Sequence, residues 1–253
     1  MAQRLLSPDR VSVGSFSPAA HGARGTVVVI DVFRAFTTAA VALARGAERV
    51  VMVDDLQAAL AMRDRTPGAL CIGERGGLRP PGFDFGNDPT EIGAARVAGR
   101  TLIQTTSNGT RGVIAAAGAA RIYAAAFVTA EATVQAILAG PAAPVTIVAM
   151  GEADARRAEE DEICALYLRS RLLGRSPDKA AARRLVGTMS TRADTRPLSE
   201  AEIACCLELD SIPFAVRVTA ENGQCVARPE RAGPAPPSPV PPSPAPPTPA
   251  PPS

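Results

Sequence analysis

The 253-residue chain is predicted to be an α/β protein, a three-layer α/β/α arrangement around a mostly parallel central sheet. Two observations lead there. Short runs that are nearly continuous in apolar residues recur along the chain with helical stretches between them, which is how strands covered on both faces read. Polar and charged residues then cluster at the downstream ends of these runs, where an open parallel sheet binds its ligands.

Taken in order, Thr26–Asp31 (TVVVID) is the first buried-strand run, followed by the helix-like FTTAAVALARGA. Arg49–Val53 is the second and precedes DLQAALAMRDR; Ala69–Gly73 is the third. Arg100–Gln104, Arg121–Ala124 and Pro144–Ala149 follow, with a helix starting near Thr129 between the last two. Beyond Glu159 the chain reads as mainly helical, with a late strand at Phe214–Val218. From about Gly233 it becomes GPAPPSPVPPSPAPPTPAPPS, whose prolines remove backbone donors and whose composition cannot form a core. The expected division is therefore one α/β domain over 1–230 and an extended, polyproline II tail over 231–253.

Composition excludes several function classes. Lys and Arg number 27 against 25 Asp and Glu, and aromatic residues are 4%, so neither a phosphate-backbone groove nor a base-stacking platform is expected, and no nucleic-acid partner. No stretch of about 18 uninterrupted apolar residues predicts a membrane span, and the N-terminal residues lack a signal-peptide core. The five cysteines have no CxxC spacing and are expected to be reduced thiols of a cytoplasmic protein. His21, the single histidine, rules out any mechanism that needs two.

The strand ends carry the chemistry. Asp31 and Arg34 lie on one strand-to-helix turn, and Glu74 and Arg75 on another within CIGERGG. The long connection PGFDFGNDP, containing Asn87, suits a functional loop better than a minimal connector. Glu159–Glu162 opens a helix, where helix-dipole complementarity alone would favour carboxylates. Asp31, Glu74 and Asp161 offer hard oxygens suited to Mg²⁺, and the arginines can hold an oxyanion bidentately. Structural ion pairing of Asp31 with Arg34 and of Glu74 with Arg75 is the competing reading. Phe33 stands where a DxD nucleophile motif needs its second Asp, Cys71 has no Arg six positions on, and no GxxxxGK[ST] loop exists. What remains is metal-assisted attack by water on a small, anionic, phosphorylated substrate.

The fourth strand runs into QTTSNGTR, Gln104–Arg111. A glycosylation acceptor would need secretion, and a hairpin would need an alternating strand downstream, where GVIAAAGAA reads as helix. Two readings stay open: simple helix capping by Ser107 or Asn108, or an anion cradle in which Thr105, Thr106, Asn108, Gly109 and Thr110 converge on a phosphate or sulfonate.

IDVFRAFTTA, IGERGG, GFDFGNDP, TTSNGT and the EEDEICA segment, in this order, resemble the 2-phosphosulfolactate phosphatase family over roughly Val27 to Pro213. Each segment is weak alone; their joint occurrence is specific. The resemblance implies a Mg²⁺-dependent acid phosphatase on an α/β/α fold that releases phosphate from 2-phospho-3-sulfolactate in coenzyme M synthesis. By motif match it singles out Asp31, Arg34, Glu74, Arg75, Asp84, Asn87, Thr106, Asn108, Thr110, Glu160 and Asp161. Another phosphorylated 2-hydroxy acid as substrate, and a phosphate- or sulfonate-binding module without turnover, are the alternatives. Homo-oligomer formation is compatible with any of these.

Overall fold

In the computed structural model, which describes residues 5–153, 155–189 and 198–231, the apolar runs are strands as expected. They are β2 (Thr26–Ile30), β3 (Arg49–Met52), β4 (Leu70–Gly73), β5 (Thr101–Thr105), β6 (Arg121–Ala125) and β7 (Val145–Ala149). Every residue of β2 and β5 is buried, which explains why these runs show no polar alternation. Three more strands join them: β1 (Val11–Ser15), β8 (Ala215–Glu221) and β9 (Gln224–Glu230). The helices that matter for the site are α2 (Ala35–Ala44), α4 (Pro89–Ala94), α5 (Gly109–Ala115), α7 (Glu159–Leu172) and α9 (Glu200–Cys206). The proline-rich tail lies outside the described residues.

The nine strands form one mixed sheet in the order β1-β7-β2-β6-β8-β9-β3-β5-β4. The pairs among β1, β7, β2 and β6 are parallel, as are those among β3, β5 and β4. Between the two groups sits the β8–β9 hairpin, antiparallel within itself and to β6 and β3. Three successive antiparallel steps reverse direction three times, so β3, β5 and β4 run opposite to β2, β6 and β7. The sheet is mostly parallel, as expected, but it consists of two parallel halves of opposite sense, spliced by a hairpin.

This splice has a geometric consequence. β2 and β5 are five places apart, which in a flat sheet would separate them by about 24 Å. Yet a Cβ on Gly109, just past β5, would lie 2.9 Å from Asp31 Oδ2, just past β2. The sheet therefore coils. Twist of roughly 20–25° per strand pair turns the second half by more than a right angle, so that downstream strand ends from both halves meet. The helix in the fold of this coil is α2, which touches β3, β6, β9, α4 and α5. Its sequence AFTTAAVALA is apolar almost all round, and eight of its ten residues are buried, as a helix enclosed on most sides requires.

The core runs through both halves and includes Val28, Ile30, Phe36, Leu102, Tyr123, Ile147 and Leu168. The five cysteines are unpaired, with Cys71, Cys164 and Cys206 buried. His21 is exposed at the end of a short helix. No helix among the described residues is long and apolar enough to cross a membrane.

Candidate active site

Asp31 follows the last residue of β2 and is 6% exposed. Its Oδ1 accepts the amide of Ala35 at 2.9 Å, fixing the carboxylate across the first turn of α2. Burial pushes its pKa from the ordinary 3.8 up to about 6; the Ala35 amide opposes this, the charge of Glu74 adds to it, and the Gly109 amide opposes it again. Two of those neighbours come from β4 and β5 in the other half of the sheet. Gly109 is needed here for approach: an added Cβ would meet Asp31 Oδ2, Ala35 Cβ and the Phe36 ring at 2.9–3.1 Å.

Glu74, directly after β4, is equally enclosed. Its Oε1 accepts the Ser107 amide at 2.6 Å, and its Oε2 accepts the Ser107 hydroxyl at 3.1 Å and the Gly77 amide at 2.9 Å. Glu74 thereby binds its own GERGG loop to the TTSNG turn. Such contact requires the two strand ends to touch, and Gly73 permits it, since a Cβ there would sit 1.9 Å from the Thr105 carbonyl. Asp161, in the first turn of α7, plays the same part on the opposite side. Its Oδ1 accepts the Val32 amide at 2.8 Å and its Oδ2 the Gly151 amide at 3.0 Å, tying the ends of β2 and β7 together. Burial, then the charges of Glu160 and Asp31, hold its carboxyl well above the usual range.

The QTTSNGTR turn divides into capping and non-capping residues. Thr106 and Thr110 satisfy one another: Thr106 Oγ1 accepts the Thr110 amide at 3.1 Å, and the Thr110 hydroxyl donates to the Thr106 carbonyl at 2.8 Å. Asn108 occupies the N-cap position of α5, but its side chain makes no capping bond, and its Oδ1 is buried without a hydrogen-bond partner. Thr105 Oγ1 and Asn87 Oδ1 are buried and unpartnered in the same way. Such orphans are rare in folded proteins and mark groups awaiting a ligand or water. Beside this turn opens a cavity of about 340 Å³ lined by Asp54, Arg75, Thr106, Ser107 and Arg111.

A family model described as 2-phosphosulpholactate phosphatase matches residues 16–202, and this span contains every element just described except β1, the β8–β9 hairpin and the last turn of α9. The chain belongs to the 2-phosphosulpholactate phosphatase family. Relatives named "probable 2-phosphosulfolactate phosphatase" include one from Deinococcus radiodurans, 45% identical over 49% of this chain and 52% of that protein. Another, from Thermus thermophilus, is 47% identical over 38% and 39% of the respective chains. A third, from Cyanothece, is 37% identical over 63% of each. In its first matches the chain spans about half the length of the curated relatives, or less.

For this family member the structure redistributes the roles expected of the motif residues. Arg34 does not face the cavity as an anion-binding arginine. Its Nη1 donates to Glu202 Oε1 on α9 at 2.7 Å in an ion pair whose side chains are 4% and 2% exposed. The reading that paired Arg34 with Asp31 had the right kind of interaction and the wrong partner, because Glu202 lies 168 residues along the chain, beyond the reach of any local pattern around Arg34. Arg75 does line the cavity, but it is held by backbone carbonyls, those of Glu74 and Asp54, and not by the Glu74 carboxylate. Asp84 accepts the Cys71 amide at 2.7 Å and lies 3.7 Å from Arg63, away from Asp31's partners.

The three carboxylates expected to share one ion are not gathered into a cage. Among the described residues no group of three or more His, Cys, Asp or Glu side chains could hold a metal. Both oxygens of Glu74 and of Asp161 accept protein donors, which fixes these two carboxylates to the surrounding backbone. Asp54, Ser107 and Arg111 line the cavity without having been singled out as site residues. For Ser107 and Arg111 the signal was present, since they stand inside the QTTSNGTR stretch; Asp54 follows β3 by two residues, in the same strand-end position that marked Asp31 and Glu74.

Proposed function

We propose that this chain is a Mg²⁺-dependent phosphatase that hydrolyses 2-phosphosulfolactate to 3-sulfolactate and phosphate, acting in the cytoplasm in coenzyme M synthesis. One observation carries the reading: a buried carboxylate, Asp31, is built against the unpartnered Asn108 turn across two halves of the sheet in a chain of this family. A site made only for a dianion would be weakened by a bare carboxylate there, whereas a cation reverses that penalty.

The donor set fits Mg²⁺, which is commonly held by one or two protein oxygens together with substrate oxygens and water. Asp31 and the free Oδ1 of Asn108 would hold it, with Glu74 and Asp161 acting as braces of the surrounding backbone. When bound, the ion supplies Lewis-acid polarisation of a phosphoryl oxygen and offsets its charge. The chain's own residues do the rest. Thr105 offers a hydroxyl with no internal partner, Arg75 presents a guanidinium locked by backbone carbonyls, and Ser107 is oriented by its two bonds to Glu74. Their positions are set before a ligand arrives, so little reorganisation is needed during the reaction.

The test is phosphate release from 2-phosphosulfolactate by the full chain, with Mg²⁺ and with excess EDTA. Release should require the ion, and Asp31→Asn should abolish it while leaving the protein folded. Full turnover in EDTA would overturn the Mg²⁺ mechanism. A rate for Asp31→Asn within about tenfold of the parent, about 1.4 kcal/mol of barrier, would remove Asp31 from the centre of it.

A further inference from the structure

Arg111 is an unexpected residue where it stands. It is exposed in the first turn of α5, a helix whose first turn carries no acidic residue. A cation there opposes the helix dipole, so helix stability does not account for it. Among the described residues Arg111 makes no hydrogen bond or ion pair, and it lines the same cavity as Arg75. Arg75 is its opposite in one respect: both ends of its guanidinium are anchored, Nη1 on the Glu74 carbonyl at 2.8 Å and Nη2 on the Asp54 carbonyl. The cavity thus has one preset and one free guanidinium, from the loop after β4 and from α5, with Asp54 as the one acidic residue of its lining. Its volume of about 340 Å³ is that of a small-molecule site.

We propose that Arg75 and Arg111 form a subsite for a second anionic group of the substrate, the sulfonate, separate from the phosphoryl position beside Asp31 and Asn108. The inference rests on the phosphatase reading for where the phosphoryl group sits. The two positions are adjacent because Thr106 and Ser107 line the cavity while Gly109, two residues on, packs against Asp31. A sulfonate presents three equivalent oxygens to planar N–H forks, a match that arginine makes and a point-charge lysine does not. With Asp54 opposing the two guanidiniums, the cavity carries one net positive charge, balanced by one added sulfonate. The subsite therefore selects phosphorylated acids bearing an extra anion over simple phosphomonoesters.

Arg111 is the residue to vary, because it holds nothing else in place. The full-length chain and Arg111→Met are titrated calorimetrically with 3-sulfolactate, lactate and orthophosphate; the first two probes differ only in the sulfonate. The parent should bind 3-sulfolactate at least about tenfold more tightly than lactate, and Arg111→Met should lose most of that ratio while orthophosphate affinity changes by less than about threefold. No preference for 3-sulfolactate in the parent, an unchanged ratio in the variant, or equal weakening of all three ligands would each overturn the subsite. The phosphatase reading fails separately: sulfonate preference without phosphate release from 2-phosphosulfolactate would leave the subsite standing and remove the reaction.

Discussion

Asn108 and Thr106 are two residues apart and do different work. Thr106→Val removes the acceptor of the Thr110 amide, and loss of such a cap costs about 1 kcal/mol. Asn108→Ala removes a side chain that caps nothing, so its melting temperature should stay close to the parent's while orthophosphate affinity in the presence of Mg²⁺ falls about tenfold or more. Thermal melts and calorimetry on both variants check this; an Asn108→Ala protein with unchanged affinity and lowered stability would return the residue to capping. Asp31 gives a pH test. Its raised folded pKa means that the native state binds more protons than the unfolded chain between pH 3.8 and about 6, so this carboxyl lowers stability as pH rises through that window. Relative to the parent, Asp31→Asn should gain stability between pH 4 and pH 7.5 in EDTA, by up to about 3 kcal/mol for a shift of this size. A difference that does not vary with pH would contradict the burial. Strand-end polarity is a local pattern, so the sequence singled out Asp31, Glu74 and the TTSNG turn, which the fold brings side by side. It could not separate ligand from brace, since that depends on which amides from distant segments reach each oxygen.

At the scale of elements, two Asn-Gly pairs show how far local signals reach. Asn222–Gly223 has positive φ at both residues and forms the β8–β9 turn, the backbone that this dipeptide favours. Asn108–Gly109 has Asn108 at φ −122° and opens a helix instead, because Gly109 is pressed against Asp31 and α2. The late strand at Phe214–Val218 was legible and its partner β9 was not, although the Asn-Gly between them was the available clue. β1 was missed as well, being an edge strand with a single buried residue. α9 shows the other limit. Its capping box, Ser199 with Glu202, is a local pattern, but the same Glu202 carboxylate also holds Arg34, and only the tertiary structure reveals that. Removing one member should leave an uncompensated buried charge. Glu202→Leu alone is expected to destabilise by about 3–5 kcal/mol, and the double variant Arg34→Met, Glu202→Leu to recover most of that loss. Denaturant unfolding of the two single variants and the double measures it; purely additive effects would show that the pair is not coupled.

At the scale of the whole molecule, the alternation of apolar runs was enough to specify an α/β protein with mostly parallel pairing, but not the reversal at its centre. Strand direction across the sheet is decided by the β8–β9 hairpin, the last piece of the described chain, and no feature of β2 or β5 announces that they will be brought together by coiling around α2. The arrangement makes the site a joint between the halves: Asp31 comes from one, Glu74 and Gly109 from the other. A ligand that bridges Asp31 and the Asn108 turn should therefore stabilise both halves together. With Mg²⁺ and orthophosphate at about 100 times Kd the expected gain is about 2.7 kcal/mol, or a rise in melting temperature of roughly 5–10 °C for a domain of this size. Hydrogen exchange should slow at amides on both sides of the joint, those of Ala35 and Gly109, which meet at the Asp31 carboxylate. Protection confined to the β5–α5 side would mean that the anion sits on the TTSNG turn alone and that Asp31 lies outside its reach, leaving the coiled sheet a scaffold and the joint without a ligand.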